Sequence, residues 1–310
     1  MSQGTDVIIH IAKESTPNTL PQNPAWIPLR RTSDTLDEKI KTTESNEIVD
    51  SRFEQGSSAT SGEAGGTINF ELSALSQDIL FEGVSGNSFI EDDGVFTLAI
   101  GAPKIGTFTI VKHDKELGLI EVFSGVRIGE VSIKCDVEGK ITGSATVMAT
   151  GYDDTLTVTP VVNPQAVTTT KFISSINVNA FKVDGTSTVG TACAESFTIT
   201  FSNNLTAKPC LANESFIPNR YSEGKLSLGL SATVVLTETS QEWRSKIKTR
   251  DTMTAEIGIE DSEGHSYAFN FTQLELNGAE KSETNNTDEH TLSLEFKHIK
   301  TAATITRMSA

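Results

Sequence analysis

Side chains able to do chemistry are few in this chain, and their spacing does not concentrate them. The five histidines, His10, His113, His265, His290 and His298, are scattered. No HExxH and no histidine pair at i, i+4 occurs, so they read as surface side chains rather than as metal ligands or general bases. The acidic pairs Asp92-Asp93 and Asp153-Asp154 adjoin Gly94 and Gly151. Asp tolerates turn geometry and Gly supplies positive φ, so both pairs read as turns rather than acid/base or metal sites. Gly101 and Gly106 stand at the spacing of a phosphate loop, but Thr107 and Phe108 follow where Lys and Ser or Thr are required. No GxSxG elbow supports a nucleophilic serine. Cys135, Cys193 and Cys210 are odd in number and form no CxxC, which favours reduced thiols over a disulfide framework or a zinc site. Cys135 alternates with Val131 and Ile133 and reads as a buried, inert thiol. No enzyme, cofactor or metal is expected from these residues.

The elements that would position any site are short β-type stretches punctuated by Gly, Asn and Asp, at residues 67–72, 95–100, 107–112, 119–123, 130–136 and 144–150. Period-two alternation is clear in Phe108 and Ile110, and again in Val131, Ile133 and Cys135. Two segments look helical. Residues 76–83 carry Ile79 and Leu80 a turn away from Leu75 and end at Gly83, a residue suited to a C-cap. Residues 239–242 form a Thr-x-x-Glu capping box ahead of Trp243 and Ile247 at i, i+4. The run 66–74, from Gly66 to Ala74, lines up with 224–232, from Gly224 to Ala232, at an offset of 224 − 66 = 158. Each matched segment is followed by a helix and two hairpins, which predicts an internal duplication. The expected organisation is an N-terminal arm at 1–24, a first module at 25–160, a linker at 161–170, a second module at 171–300 and a tail at 301–310. Within the first module, residues 32–65 read as a long polar loop whose apolar members Leu36, Ile40, Ile48, Val49 and Phe53 suit a partner's surface.

Composition sets the outer limits. The 310 residues suit about two domains. The formal charge of −16 opposes general affinity for nucleic acid, since phosphate binding relies on clustered cations. No apolar run approaches the roughly 18 residues of a membrane span, and residues 7–12 lack the cationic flank and cleavage site of an export signal. A soluble, mainly β, cytoplasmically made chain is expected.

A resemblance then emerges from particular runs: Trp26-Ile27-Pro28-Leu29-Arg30-Arg31-Thr32; Ser45, Glu47, Ile48 and Arg52; the strand opening at Gly65-Gly66-Thr67 and leading to Ser76-Gln77-Asp78-Ile79-Leu80; and Gly125-Val126-Arg127-Ile128-Gly129-Glu130. Together they resemble the opening and closing parts of major tail tube proteins of long-tailed bacteriophages, here in a two-module variant. The resemblance implies tandem β-sandwich modules, each with one flanking helix. It implies inner sheets that join between subunits into a β-barrel ring, and six modules per ring, hence three chains. It also implies a hollow stacked tube that passes double-stranded DNA, a place in the virion tail after assembly in host cytoplasm, and tape measure, tail terminator and distal tail or baseplate proteins as partners. On this reading the 32–65 loop makes contacts between rings. The lumen-facing candidates are Glu130, Lys134, Asp136 and Glu138 in the closing hairpin of the first module, and Glu275, Glu280 and Glu283 in that of the second. The competing reading is a two-domain β-sandwich adhesion protein, which would stay monomeric or form small oligomers.

Overall fold

The computed structural model describes residues 3–50, 52–53, 56–211, 215–282 and 289–309. In the first half the elements are β1 (Val7–Lys13), β2 (Ile27–Pro28), β3 (Ser33–Asp34), β4 (Asp37–Glu44), β5 (Ser57–Glu71), α1 (Asp78–Ser85), β6 (Ile90–Asp92), β7 (Val95–Ala99), β8 (Phe108–Asp114), β9 (Leu119–Asp136), β10 (Thr142–Ala149) and β11 (Gly151–Asp153). The second half holds β12 (Val178–Val183), β13 (Thr186–Ser187), β14 (Ala194–Ser202), β15 (Thr206–Ala207), β16 (Tyr221–Ser222), β17 (Ser227–Val235), α2 (Glu238–Thr249), β18 (Met253–Glu260), β19 (Ser266–Lys281), β20 (Thr291–His298) and β21 (Thr304–Met308). The fold is mainly β, with every ladder antiparallel, as the period-two patterning predicts.

The same series of pairings occurs twice. β1 pairs β8, β8 pairs the front of β9, and the back of β9 pairs β10, which pairs β5. In parallel, β12 pairs β18, β18 pairs the front of β19, and the back of β19 pairs β20, which pairs β17. β11 on β9 has its counterpart in β21 on β19. Both long hairpins carry one bulge, at Thr146/Val147 against β9 and at Leu276/Gly278 on β19. The bulges set the register between the halves. Val147, next to the first bulge, lies opposite Gly66, and Phe296, next to the second, lies opposite Leu230. The structural offset is thus 230 − 66 = 164, so residues 231–236 match 67–72. The expected match of 67–72 with 225–230 is six residues out, because Gly and Ser-Ala likeness carries no information about where a bulge sits.

Other expectations are corrected too. The arm at 1–24 contains β1, a strand paired along its whole length, with Ile9, Ile11 and Ala12 buried. The tail at 301–310 contains β21, which pairs β19 on one side and β7 on the other and so stitches the halves together. The loop at 32–65 is largely the β4–β5 hairpin. Leu156, at the end of the first module, and Val161, the first linker residue, cover a small second core of Ala12, Trp26, Val111, Ile120 and Val122.

The main core is one contiguous cluster. It runs from Ile68, Phe70, Val131 and Ile133 of one half to Leu230, Leu294, Phe269 and Trp243 of the other. α1 lies inside it with Leu80, Phe81 and Val84 buried. No side chain caps its N-terminus, yet burying three apolar side chains at about 2 kcal/mol each outweighs the roughly 1 kcal/mol of a missing cap. Gly83 is not the cap. A Cβ there would meet Ile128 Cδ1 at 2.3 Å, so glycine lets the helix approach β9, and the left-handed cap is Gly86 at φ 76°. α2 is the reverse case: the box is Thr237 with Ser240, two residues ahead of the expected Thr239 and Glu242, and only Ser240 and Trp243 are buried.

A polar clamp sits where α1 meets the second half. Tyr267 donates to Asp78 Oδ1 at 2.5 Å and accepts from the Leu75 amide at 2.9 Å, holding Leu75 at φ 66°. Arg307 pairs with Asp78 and lies 4.0 Å from the Phe96 ring centre. Burial raises the Asp78 pKa, with the Tyr267 hydrogen bond and the Arg307 charge opposing. Tyr267→Phe strips one partner from each of two buried groups, so a loss of about 2 kcal/mol is expected in equilibrium denaturation. An acid whose folded pKa lies above the ordinary 3.8 loses stability as pH rises through that folded value. The deficit of Tyr267→Phe should therefore be largest above the folded pKa, where the carboxylate needs the donor, and should shrink in acid.

All three thiols are free; Cys135 is buried, while Cys193 and Cys210 are exposed. Desolvation pushes the Cys135 thiol up to about 11. Titration of the native protein with an aromatic disulfide should consume Cys193 and Cys210 rapidly, and Cys135 only after denaturant is added.

Candidate functional site

The turn readings of the acidic groups have a local physical basis. Asp93 and Gly94 adopt positive φ between β6 and β7. Asp153 accepts from the amide and hydroxyl of Thr155, which lowers its pKa. Asp261, Glu263 and His265 lie close together, but Asp261 Oδ1 accepts from the Glu263 and His265 amides and Oδ2 lies 3.1 Å from His265 Nδ1. That arrangement fastens the β18–β19 turn. His10 and His298 are half-buried rather than on the surface, and desolvation lowers both pKa values. A cleft of about 250 Å³ between β9, β12 and β14 is lined mainly by apolar side chains such as Val137, Phe181, Val189 and Phe197, with Cys193 and Glu195 among them and, among the described residues, no histidine, lysine or arginine beside the thiol.

The prominent surface is instead a sheet face. The back of β9 pairs with β14 from Glu130↔Ser202 to Asp136↔Ser196, which joins the two halves edge to edge. One hydrogen-bonded layer therefore runs in the order β4, β5, β10, β9, β14, β17, β20, β19. Along each strand the apolar residues face the core: Ile68 and Phe70, Ala145 and Val147, Val131 and Ile133, Ile199 and Phe201, Leu228 and Leu230, Leu294 and Phe296. The alternate residues face away from it, as the pleat requires. They are mostly hydroxyl-bearing: Thr67, Ser144, Thr146, Ser132, Thr198, Thr200, Ser231, Thr233 and Ser293.

Glu130, Lys134, Asp136, Glu275 and Glu280 all fall on this outer face. Glu138 does not; it occupies the β9–β10 turn at φ 62°. Glu283 lies outside the described residues. Two acids absent from the expectation, Glu71 and Glu295, share the face. Their signal was present in the alternation of polar with apolar residues in 67–72 and 291–297. The carboxylates Asp37, Glu63, Glu71, Glu130, Asp136, Glu275, Glu280 and Glu295 on this face outnumber the cations Lys39, Arg127, Lys134 and Lys297. Lys134 is spent on Asp136 at 2.9 Å, and Lys140, beyond the strand end, on Glu71 at 2.7 Å.

The layer ends in two edges without a strand partner among the described residues: β4 at one end and the back of β19 at the other. β4 and β5 continue past the layer as a hairpin whose outer part is exposed, closed by the Ser45 amide on the Gly56 carbonyl at 2.9 Å. Ile48 and Phe53 stand out in solvent near its tip, with Val49 and Ile40 about half-exposed. Leu36, expected among these contact residues, is 2% exposed and belongs to the core, because it precedes β4 on the core-facing side of the strand.

An acidic, hydroxyl-covered face should repel a polyanion. The protein is expected to retain no duplex DNA in a filter assay at physiological salt. Replacing Glu130, Glu275 and Glu280 together with lysine should introduce binding that weakens as salt rises.

Against known proteins, a family model described as phage tail tube protein matches residues 4–297. No curated protein matches. Among solved structures, a chain from the virion of a native gene transfer agent particle is similar at 12% identity, over 43% of this chain and 86% of that one, with a TM-score of 0.24. A likeness that loose carries no argument about the fold. The family match spans nearly the whole of a chain that is mainly β and offers a structural face in place of a reaction centre, and on that match the chain belongs to the phage tail tube protein family, structural components of the virion tail rather than enzymes.

Proposed function

We propose that copies of this chain join edge to edge into a ring and that the rings stack into the hollow tube of a phage tail, through which double-stranded DNA passes. One observation carries the reading: two sheets within one chain already meet edge to edge at β9 and β14, and the layer so formed ends in two open edges. Open edges in a long sheet template further pairing, and a closed ring of copies removes them. The two halves are copies of one module, the first spanning β1 to β11 and the second β12 to β21, so three chains supply six modules. In this arrangement the hydroxyl and carboxylate face, with Glu130, Lys134, Asp136, Glu275 and Glu280, lines the lumen, and DNA meets a wall that solvates without binding it. The hairpin tip, with Ile40, Ile48, Val49 and Phe53, packs on the next ring. Tape measure, terminator and distal tail proteins would occupy the lumen and the two ends, with assembly in host cytoplasm.

Negative-stain microscopy of purified protein tests this. Hollow stacked rings with threefold symmetry are expected; six chains per ring would overturn the stoichiometry, and a monomer at all concentrations would overturn the reading. Deleting residues 45–56 removes the tip without touching the core. It should leave a folded chain that closes rings and does not stack them.

A further inference from the structure

The junction inside the chain serves as a template for the junction between chains. At the internal seam β9 meets β14 in one register, with Val131 opposite Phe201 and Ser132 opposite Thr200. α1 lies beneath it, and Asn203 Nδ2 ties the Val84 carbonyl of α1, at 3.1 Å, to the Ile128 carbonyl, at 2.9 Å. The paired strands and the neighbouring helix recur at the open edges, whereas the Asn203 tie does not, since its counterpart on β4 is Ile40. The bulges place Ile128 and Glu130 of β9 in correspondence with Leu276 and Gly278 of β19, which matches Val131 with Ala279 and Ser132 with Glu280. α2 stands beside β19, since Arg244 Nε reaches the Ala279 carbonyl and Arg250 the Leu276 carbonyl, both at 3.4 Å. At the opposite end, β3 and β4 pair β5 as β14 pairs β17. Ser33↔Asn69 corresponds to Ser196↔Thr233, and Leu36 to Ile199, both core residues.

Resting on the ring reading above, we propose that the back of β19 in one chain pairs with the β3–β4 edge of a second copy in the register set by the β9–β14 seam. Ala279 lies opposite Glu38, Glu280 opposite Asp37, Lys281 opposite Leu36 and Gly278 opposite Lys39. The phase of the two edges supports that register independently. The Ala279 carbonyl points outward, because an arginine side chain rather than β20 reaches it. The Thr35 amide bonds inward to the Thr67 carbonyl at 2.9 Å, so Leu36 and Glu38 direct their peptide groups outward; the Leu36 carbonyl accepts from Lys112 Nζ, and the Glu38 amide is held only by the Asp37 side chain. Outward residues thus meet outward residues, as an antiparallel hydrogen-bonded pair requires, and a slip by one residue would break the match.

The chemistry of this seam differs from that of its template. Where β14 turns Phe201 toward α1, β4 carries Glu38, on the same side as its partner Ala64. α2 carries Arg244 and Arg250 on the side of its strand edge. None of these three charges has an ion pair among the described residues. The seam between copies is therefore ionic where the seam within the chain is apolar. On the outer side Glu280 faces Asp37, like charges that weaken premature pairing. The lone chain stays soluble, and complementary charges steer and register its docking.

Cross-linking reads the register directly. In a chain with Cys193→Ser and Cys210→Ser, the pair Glu280→Cys with Asp37→Cys lies at a non-hydrogen-bonded position. It should give covalent multimers on a non-reducing gel after mild oxidation, while the shifted pair Glu280→Cys with Lys39→Cys stays monomeric. Rings seen by microscopy with cross-linking absent, or only at the shifted pair, overturn the register and leave the ring reading standing. Absence of any ring overturns both. For the charges, Arg244→Glu with Arg250→Glu should weaken assembly about tenfold at low salt, and adding Glu38→Arg should restore it. Glu38→Arg alone, on a partly exposed strand, gives the same reading without altering the helix. Assembly unchanged by either set overturns the ionic seam.

Discussion

Backbone N–H and C=O groups at the rim of a sheet must find partners, and the architecture of this chain follows from where they find them. The back of β9 would be a rim in a single sandwich. Here β14 covers it from Glu130 to Asp136, so two sandwiches fuse into one layer. β21 solves the same problem on the other layer by entering between β7 and β19. In the layer that carries the seam, the β4 edge and the back of β19 stay without strands among the described residues, and both are guarded by charge: Asp37, Glu38, Lys39 and Lys41 on one, Glu275, Glu280 and Lys281 on the other. Charged edges are how natural sheets avoid indiscriminate pairing.

The two helices show how much of a helix's stability is borrowed from its neighbours. α1 is short and uncapped by any side chain, and it persists because the fused seam closes over it. α2 is longer, mostly polar and locally capped, as a helix must be when one flank has nothing apolar to bury. The Asp78, Tyr267 and Arg307 clamp adds direction to the packing. Its groups come from α1, β19 and β21, so the charged carboxylate is satisfied only when the second half and the C-terminal strand are both in place.

A face covered with Ser and Thr is a physical compromise. β-branched threonine suits a strand, hydroxyls keep the surface wet without fixed charge, and a small excess of carboxylates gives the face its sign. On such a wall the cations are scattered and outnumbered by carboxylates, which disfavours a phosphate. That suits the conduit proposed above, and the acidic groups off this face lie instead in turns and in the clamp on α1.

Much of this could be read from the linear chain. Alternation in 131–135 and 144–150 determined which side of each strand is buried, and the same alternation placed Glu130, Lys134 and Asp136 on the opposite side; Glu275 and Glu280, five residues apart, reach that side together only through the bulge at Leu276/Gly278. The absence of histidine, cysteine and glycine motifs leads to the expectation of a non-enzymatic protein, and the family match supplies the ground for it. What composition and periodicity could not decide was partnership. Val7–Lys13 is an apolar stretch cut off from the first module by Pro17, Pro21 and Pro24, and Thr304–Met308 is as short as a true tail; only pairing with β8, β7 and β19 makes them strands of the sheet. Leu36 looked like a contact residue because its neighbours are polar, yet one turn of the pleat sends it into the core. The six-residue error in matching the halves has the same origin. Sequence likeness compares residues, whereas register is set by a single bulge in each half, marked only by Gly129 in β9 and by Asn277-Gly278 in β19, and a hydrogen-bond ladder between segments far apart in the chain is decided only when both are folded against each other.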